Sequence, residues 1–197
     1  MGLGGRDVTN YLLQLLLRSG YLFTTISEKQ AIQQLKEALS YVALDYEQEL
    51  KKAETSTDCQ RVYTLPDGQT ITVGSERFRC AEALFKPYWA GPDREGVHML
   101  IYQSLMKCED ELRGVLSKNI VLAGGNTMFG GIAERMLNEV TTLIPVSLTC
   151  HVDALPDKHS IWMGGSILAS LKSFENMMIN INEYYEYGPS IVHRKKG

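Results

Sequence analysis

Ile120-Val121-Leu122-Ala123-Gly124-Gly125-Asn126-Thr127-Met128-Phe129-Gly130-Gly131 decides how this chain folds. Four consecutive apolar residues are too few for a helix of their own and read as a buried strand, which runs straight into a glycine-rich loop. Beyond it, Ile132, Ala133, Met136, Leu137 and Val140 recur at helical spacing. After Pro145, Val146, Leu148, Cys150 and Val152 alternate with Ser147, Thr149 and His151, the period of a second strand. Strand, glycine loop, helix, strand is a βαβ unit, which implies parallel strands and an α/β fold. Ligands in such sheets sit beyond the carboxyl ends of the strands, where the glycine loop lies. The loop's glycines would let main-chain N–H groups approach a phosphate, with the next helix N-terminus favouring negative charge. The loop matches neither the P-loop nor the Rossmann spacing, so from the residues alone a plain strand-to-helix turn fits it better.

N-terminal to this unit, Val8, Tyr11, Leu12, Leu15 and Leu16 mark one helix face, and Gly20 stands where a left-handed cap would end it. A second helix is expected from Ser27, capped by its hydroxyl with Gln30 reaching back, and burying Ile32, Leu35 and Leu39. A polar stretch over 51–60 leads to a predicted hairpin, strands 61–65 and 69–73 around Pro66-Asp67-Gly68. The Pro- and Gly-punctuated loop 87–96 is the expected internal boundary. Past it, Val97, Leu100, Ile101, Ser104, Leu105 and Cys108 predict an amphipathic helix, with a shorter helix around Leu112. The last segment opens on a helix rich in small residues, 160–171, and then turns polar and aromatic.

Several function classes fall to composition and spacing. With 197 residues, 44% of them hydrophobic, and a net charge of −3, the chain has material for a core and no basic surface for nucleic acid. The one basic cluster is the terminal run His193, Arg194, Lys195, Lys196, which reads as a solvated end. Cys59, Cys80, Cys108 and Cys150 fit neither a CxxC metal pair nor a disulfide framework, and the four histidines show no ligand spacing, so no metal site is expected. There is no membrane-length apolar run and no signal-peptide pattern, and Arg6 spoils a myristoylation reading of Met1-Gly2. Neither a nucleophile elbow nor a carboxylate pair is present in the context it needs, so no catalytic residue is proposed. Lys36 and Glu37 suit a nucleoside chemically: a lysine stem lies along a base, and a carboxylate accepts from ribose hydroxyls. They also suit the solvated border of an amphipathic helix.

Longer runs carry a family resemblance. Gly5-Arg6-Asp7, Tyr41-Val42-Ala43-Leu44-Asp45, Leu65-Pro66-Asp67-Gly68-Gln69, Glu76-Arg77-Phe78-Arg79-Cys80 and Met106-Lys107-Cys108 resemble actin motifs. So do the run from Leu122 to Met128, Gly164-Gly165-Ser166-Ile167-Leu168-Ala169-Ser170-Leu171, and the ending Gly188-Pro189-Ser190-Ile191-Val192-His193-Arg194-Lys195. All stand in actin order. The resemblance implies an actin-like fold of the ribonuclease H-like, actin-type ATPase kind, present as its C-terminal half and therefore incomplete. It divides the chain into a small helical domain with a hairpin at 1–92, an inner nucleotide-binding-type βαβ domain at 93–159, and a C-terminal segment at 160–197.

By that resemblance Lys36 and Glu37 lie near adenine and ribose. Gly124, Gly125, Asn126, Met128 and Phe129 form the loop around nucleoside and phosphates, and Lys158 stands on the adenine side. Phe129 replaces a tyrosine and Asn126 a threonine, while the 156–159 loop is one residue shorter than in actin. Met163, Ile167, Leu168 and Leu171 correspond to part of the apolar cleft that receives partner helices. The charged tip Pro92-Asp93-Arg94-Glu95 replaces a more apolar segment that joins filament strands, and favours a solvated loop. In the family the front half supplies the phosphate-binding hairpins and the groups that position water, and phosphoryl transfer depends on such positioning. The expectation is an actin-like cytoskeletal, cytoplasmic protein with a binding or assembly role. Its partners would be actin or actin-related subunits and actin-binding proteins. ATP or ADP would bind weakly or not at all, with no hydrolysis by this chain alone. The alternatives are an actin-type ATPase subunit completed by a partner or a longer chain, and a truncated product without independent function.

Overall fold

The computed structural model describes residues 4–91 and 95–194. Met1-Gly2, Pro92-Asp93-Arg94 of the charged tip, and Lys195-Lys196 of the basic end lie outside them. Two compact units meet in the sequence between Lys158 and His159.

The first unit begins with α1 (Gly5–Arg18), which buries the expected face of Val8, Tyr11, Leu12, Leu15 and Leu16. Its end is a Schellman turn: Gly20 adopts φ +92°, Gly20 N–H donates to Leu17 O and Tyr21 N–H to Leu16 O. The second helix, α2 (Ile26–Leu39), starts earlier than the Ser27 cap implies. Thr25 is the cap. Its hydroxyl accepts from Glu28 N–H, and the Glu28 carboxylate accepts from the N–H groups of Thr24 and Thr25 at 2.7 Å. Glu28 therefore supplies a charged acceptor, favoured in a helix's first turn, and that bond lowers its pKa. The stretch 51–60 is not simply a polar connector, because α3 (Tyr46–Thr55) occupies its first half, capped by the Asp45 carboxylate. The hairpin forms as predicted, with β1 (Arg61–Thr64) antiparallel to β2 (Thr70–Val73) and Gly68 at φ +87° in the turn. Next, α4 (Glu76–Glu82) packs against α1.

After the 87–96 loop come α5 (Val97–Met106) and α6 (Asp110–Leu116). The expected apolar face of α5 is mostly not buried. Leu105 alone is, while Val97, Leu100, Ile101 and Cys108 line an open apolar groove with Leu116 and Ile120. The βαβ unit follows as β3 (Ile120–Leu122), a single turn of 3-10 helix at Gly125–Met128, α7 (Ile132–Leu143) and β4 (Val152–Ala154). β3 and β4 are parallel, Ile120 opposite Val152. The second strand is shorter and later than the alternation from Val146 suggests. Pro145 opens a turn closed by Leu148 N–H on Pro145 O, which leaves Val146 fully exposed. One apolar cluster joins residues from both sides of 87–96, among them Leu15, Leu35, Phe85, Leu105 and Val140.

The second unit holds α8 (Ser160–Ser170) and α9 (Ile181–Tyr187), each followed by a short 3-10 segment. Asn180 and Glu183 form a reciprocal capping box at the start of α9. No helix among the described residues is long and apolar enough to cross a membrane.

Candidate functional site: a basic cleft beside the glycine loop

A cleft of about 770 Å³ opens in the first unit between α1, α2 and the glycine loop. Helical phase explains its walls. On α1, Arg6, Asn10 and Leu13 recur at i, i+4, i+7, and on α2, Lys29, Gln33 and Lys36 do the same, so two largely polar stripes face one space. Gly125, Asn126, Met128 and Phe129 close one end, and Lys158, just past β4, joins them. Seven of the eight nucleotide-site residues expected from the resemblance thus line one cleft. The eighth, Gly124, does not; it shapes the loop from behind. Its φ of +103° turns the chain, and its carbonyl accepts from the Thr127 hydroxyl at 2.8 Å.

Lys36 is not the solvated border residue that its helix position also allowed. It is 5% exposed, and its Nζ donates to Gly5 O over 3.0 Å. Burial lowers its pKa, because the low-dielectric surroundings disfavour the ammonium, against the pull of Glu37. Glu37 faces outward, accepting from Gln33 Nε2 at 3.1 Å and pairing with Lys158 Nζ at 3.7 Å. Both members of that pair are about half exposed, so it orients the side chains more than it stabilises the fold. Backbone approach is close elsewhere: a Cβ on Gly5 would stand 3.0 Å from Asn126 Oδ1, whereas Gly125 has open space where its side chain would be.

The cleft's charge contrasts with that of the chain. Arg6, Lys29, Lys36 and Lys158 meet a single lining carboxylate, Glu37, in a protein of net charge −3. This arrangement attracts an anion with an apolar part, which Met128, the buried Phe129 and Leu13 can cover. Among the described residues there is no cluster of three or more metal-ligating side chains. In the second unit, Met163, Ile167 and Leu168 on α8 and Leu171 just after it are all exposed.

Sequence reasoning missed the α1 wall, because nothing in its polar stripe alone marks it as facing the stripe on α2. It also missed Arg135 and Glu82. Arg135 sits within the buried stripe of α7 and Glu82 is fully buried at the end of α4, and nothing in their spacing marks them as partners. The sequence model of the actin family matches residues 2–197. With nearly the whole chain covered, and a helix-and-strand architecture consistent with the actin-like ATPase fold, this protein belongs to the actin family.

Proposed function

We propose that the chain is an actin-like cytoskeletal protein with a binding and assembly role, whose cleft takes an adenine nucleotide weakly at most and does not hydrolyse it unaided. The observation that carries this reading is the basic cleft that Lys36 and Glu37 line together with residues of the glycine loop. The residues fit the ligand. The open space at Gly125 suits close approach of a phosphate or sugar, the Lys36 stem suits a base, and Glu37 suits ribose hydroxyls. Against turnover stands the charge of the lining: Glu37 is its one carboxylate and is already engaged by Gln33 and Lys158, so it is not free to act as a base toward an attacking water. On this reading residues 1–92 act as the small helical domain and 93–159 as the nucleotide-binding-type domain. Residues 160–197 offer Met163, Ile167, Leu168 and Leu171 to helical partners, such as actin subunits or actin-binding proteins.

Equilibrium dialysis with ATP tests it. The expected result is weak retention that falls in Lys36→Met and Glu37→Gln, with no phosphate release. Tight, magnesium-dependent binding by this chain would overturn it. A second reading, a subunit completed into an ATPase by a partner or by a longer chain, draws on the open apolar groove along α5. Phosphate release that appears only on mixing with actin would favour that reading.

A further inference from the structure

Two sides of the cleft, the α2 wall and the glycine loop at its end, are tied together from behind. The α2 wall carries Lys36 and Glu37, and the 125–129 loop continues into α7. The segment 41–43 follows α2 directly, and two contacts fasten it to the start of α7. Tyr41 and Gly130 form a parallel bridge through Val42 N–H, which donates to Gly130 O over 2.9 Å, and Arg135 Nη1 donates to Ala43 O over 2.6 Å.

Arg135 is itself held from the far side. Its two terminal nitrogens meet the two carboxylate oxygens of Glu82 at 3.1 and 3.0 Å, its Nε donates to Glu139 over 2.7 Å, and its guanidinium lies 4.7 Å from the centre of the Phe85 ring. Arg135 is 6% exposed and Glu82 is fully buried, and neither lines the cleft. A buried ion pair is a poor source of stability, since well-packed apolar residues of similar volume do as well or better. What a guanidinium offers instead is a rigid fork of donors that fixes several acceptors in one geometry. Here the acceptors lie on three separate pieces of chain: Glu82 at the end of α4, Ala43 in the segment behind α2, and Glu139 one turn further along α7.

We infer that Arg135, held by Glu82, is a positioning residue for the cleft: it fixes the 41–43 segment against the start of α7, and so sets the spacing of Lys36 and Glu37 from the glycine loop. The inference rests on the nucleotide reading for what that spacing serves, but not for the spacing itself.

The test compares the full chain with Arg135→Lys and with the double variant Glu82→Leu/Arg135→Met. Lysine keeps the charge beside Glu82 but has no planar fork to hold both carboxylate oxygens and Ala43 O together. The double variant removes both charges, so neither is left buried without its partner. Two quantities are read well below the melting temperature: hydrogen exchange at the Val42 amide, and the dissociation constant for ATP titrated to high concentration. Both variants should exchange Val42 faster and bind ATP more weakly, each by roughly tenfold, as expected for losing one well-placed hydrogen bond. The double variant should melt close to the parent chain. A merely structural role would shift the melting temperature and leave Val42 exchange and ATP affinity unchanged, and that result overturns the inference. If the parent chain holds no ATP, the nucleotide reading fails separately. Val42 exchange then decides, acceleration upholding the inference and parent-like exchange in both variants ending it. If the double variant does not fold, Arg135→Lys decides by the same readouts.

Discussion

Replacing Gly131 with alanine strikes the joint between loop, helix and the segment behind α2. Gly131 caps α7 in the left-handed region, φ +84° and ψ −6°. An L-residue held there costs about 1–2 kcal/mol. The added methyl would also stand 2.6 Å from Val42 O, closer than real Cβ atoms approach a backbone oxygen. The chain must therefore move, and the Val42 N–H to Gly130 O bond is the contact that moves with it, at a net cost of about 0.5–1.5 kcal/mol. Gly20→Ala supplies the control: φ there is +92°, and nothing lies within 4 Å of the added methyl. Both substitutions restrict the unfolded chain equally, by about 0.4–1 kcal/mol in favour of folding, so that contribution cancels between them. Gly131→Ala should thus be the more destabilising by about 1 kcal/mol, or roughly 0.3–1 M in the urea midpoint. Urea unfolding followed by Trp89 fluorescence in a Trp162→Phe background measures it, because Trp89 packs in the first unit beside Tyr46. If Gly131→Ala loses no more than Gly20→Ala, the close approach to Val42 O does not constrain the fold and the reasoning fails.

Two further outcomes concern titratable groups. His98 stacks on Phe85 with its centroid 5.7 Å away, and its Nδ1 is buried without a hydrogen-bond partner. Burial lowers its pKa, Arg135 adds to that, and Glu139 opposes it. As pH falls through the ordinary value of 6.5, the unfolded chain takes up a proton that the folded chain resists, so stability is full above that pH and is lost below it. Thermal melts from about pH 7.5 to about pH 5 should show this loss in the parent chain and less of it in His98→Phe; equal slopes would refute the assignment. Cys80 is fully buried, and desolvation pushes its thiol up to about 11, whereas Cys59, Cys108 and Cys150 are half-buried. A thiol reagent at neutral pH should leave Cys80 unmodified until denaturant is added, and rapid modification of all four thiols in the native chain would contradict this burial.

The βαβ unit was legible because each of its parts carries its own signal: a short apolar run, glycines, and a strong helical period over 132–140. Where two signals competed, the sequence was ambiguous. Thr25 with Glu28 and Ser27 with Gln30 both satisfy the capping-box spacing, and the helix takes the pair with the carboxylate. The alternation after Pro145 is real, but the proline's turn removes Val146 from the sheet, so period alone misplaced the strand. The helix α3 escaped because it buries only Tyr46; its evidence was an Asp45 cap, acids in the first turn and Lys52 in the last. Half of the cleft could be found through Lys36, Glu37 and the glycine loop. The α1 half could not, since its polar stripe gains meaning only once α2 is known to lie opposite. Likewise the burial of Lys36 depends on the Gly5 carbonyl, which comes from 31 residues earlier in the chain.

The contacts of segment 41–43 with the start of α7 end on its main-chain atoms: the N–H of Val42, which makes the bridge at Tyr41, and the carbonyl of Ala43. Side chains that point into the cleft, such as Lys29, Gln33 and Asn126, take no part in them. Between α2 and the glycine loop, the width of the opening and the chemistry of these side chains are therefore under separate control, whereas toward α1 Lys36 serves both, lining the cleft and donating to Gly5 O. Substitutions at lining positions such as Lys29 and Gln33 can retune which small molecule is preferred without resizing the space, so a change of ligand in this chain needs only a few exchanged side chains and no rebuilt scaffold.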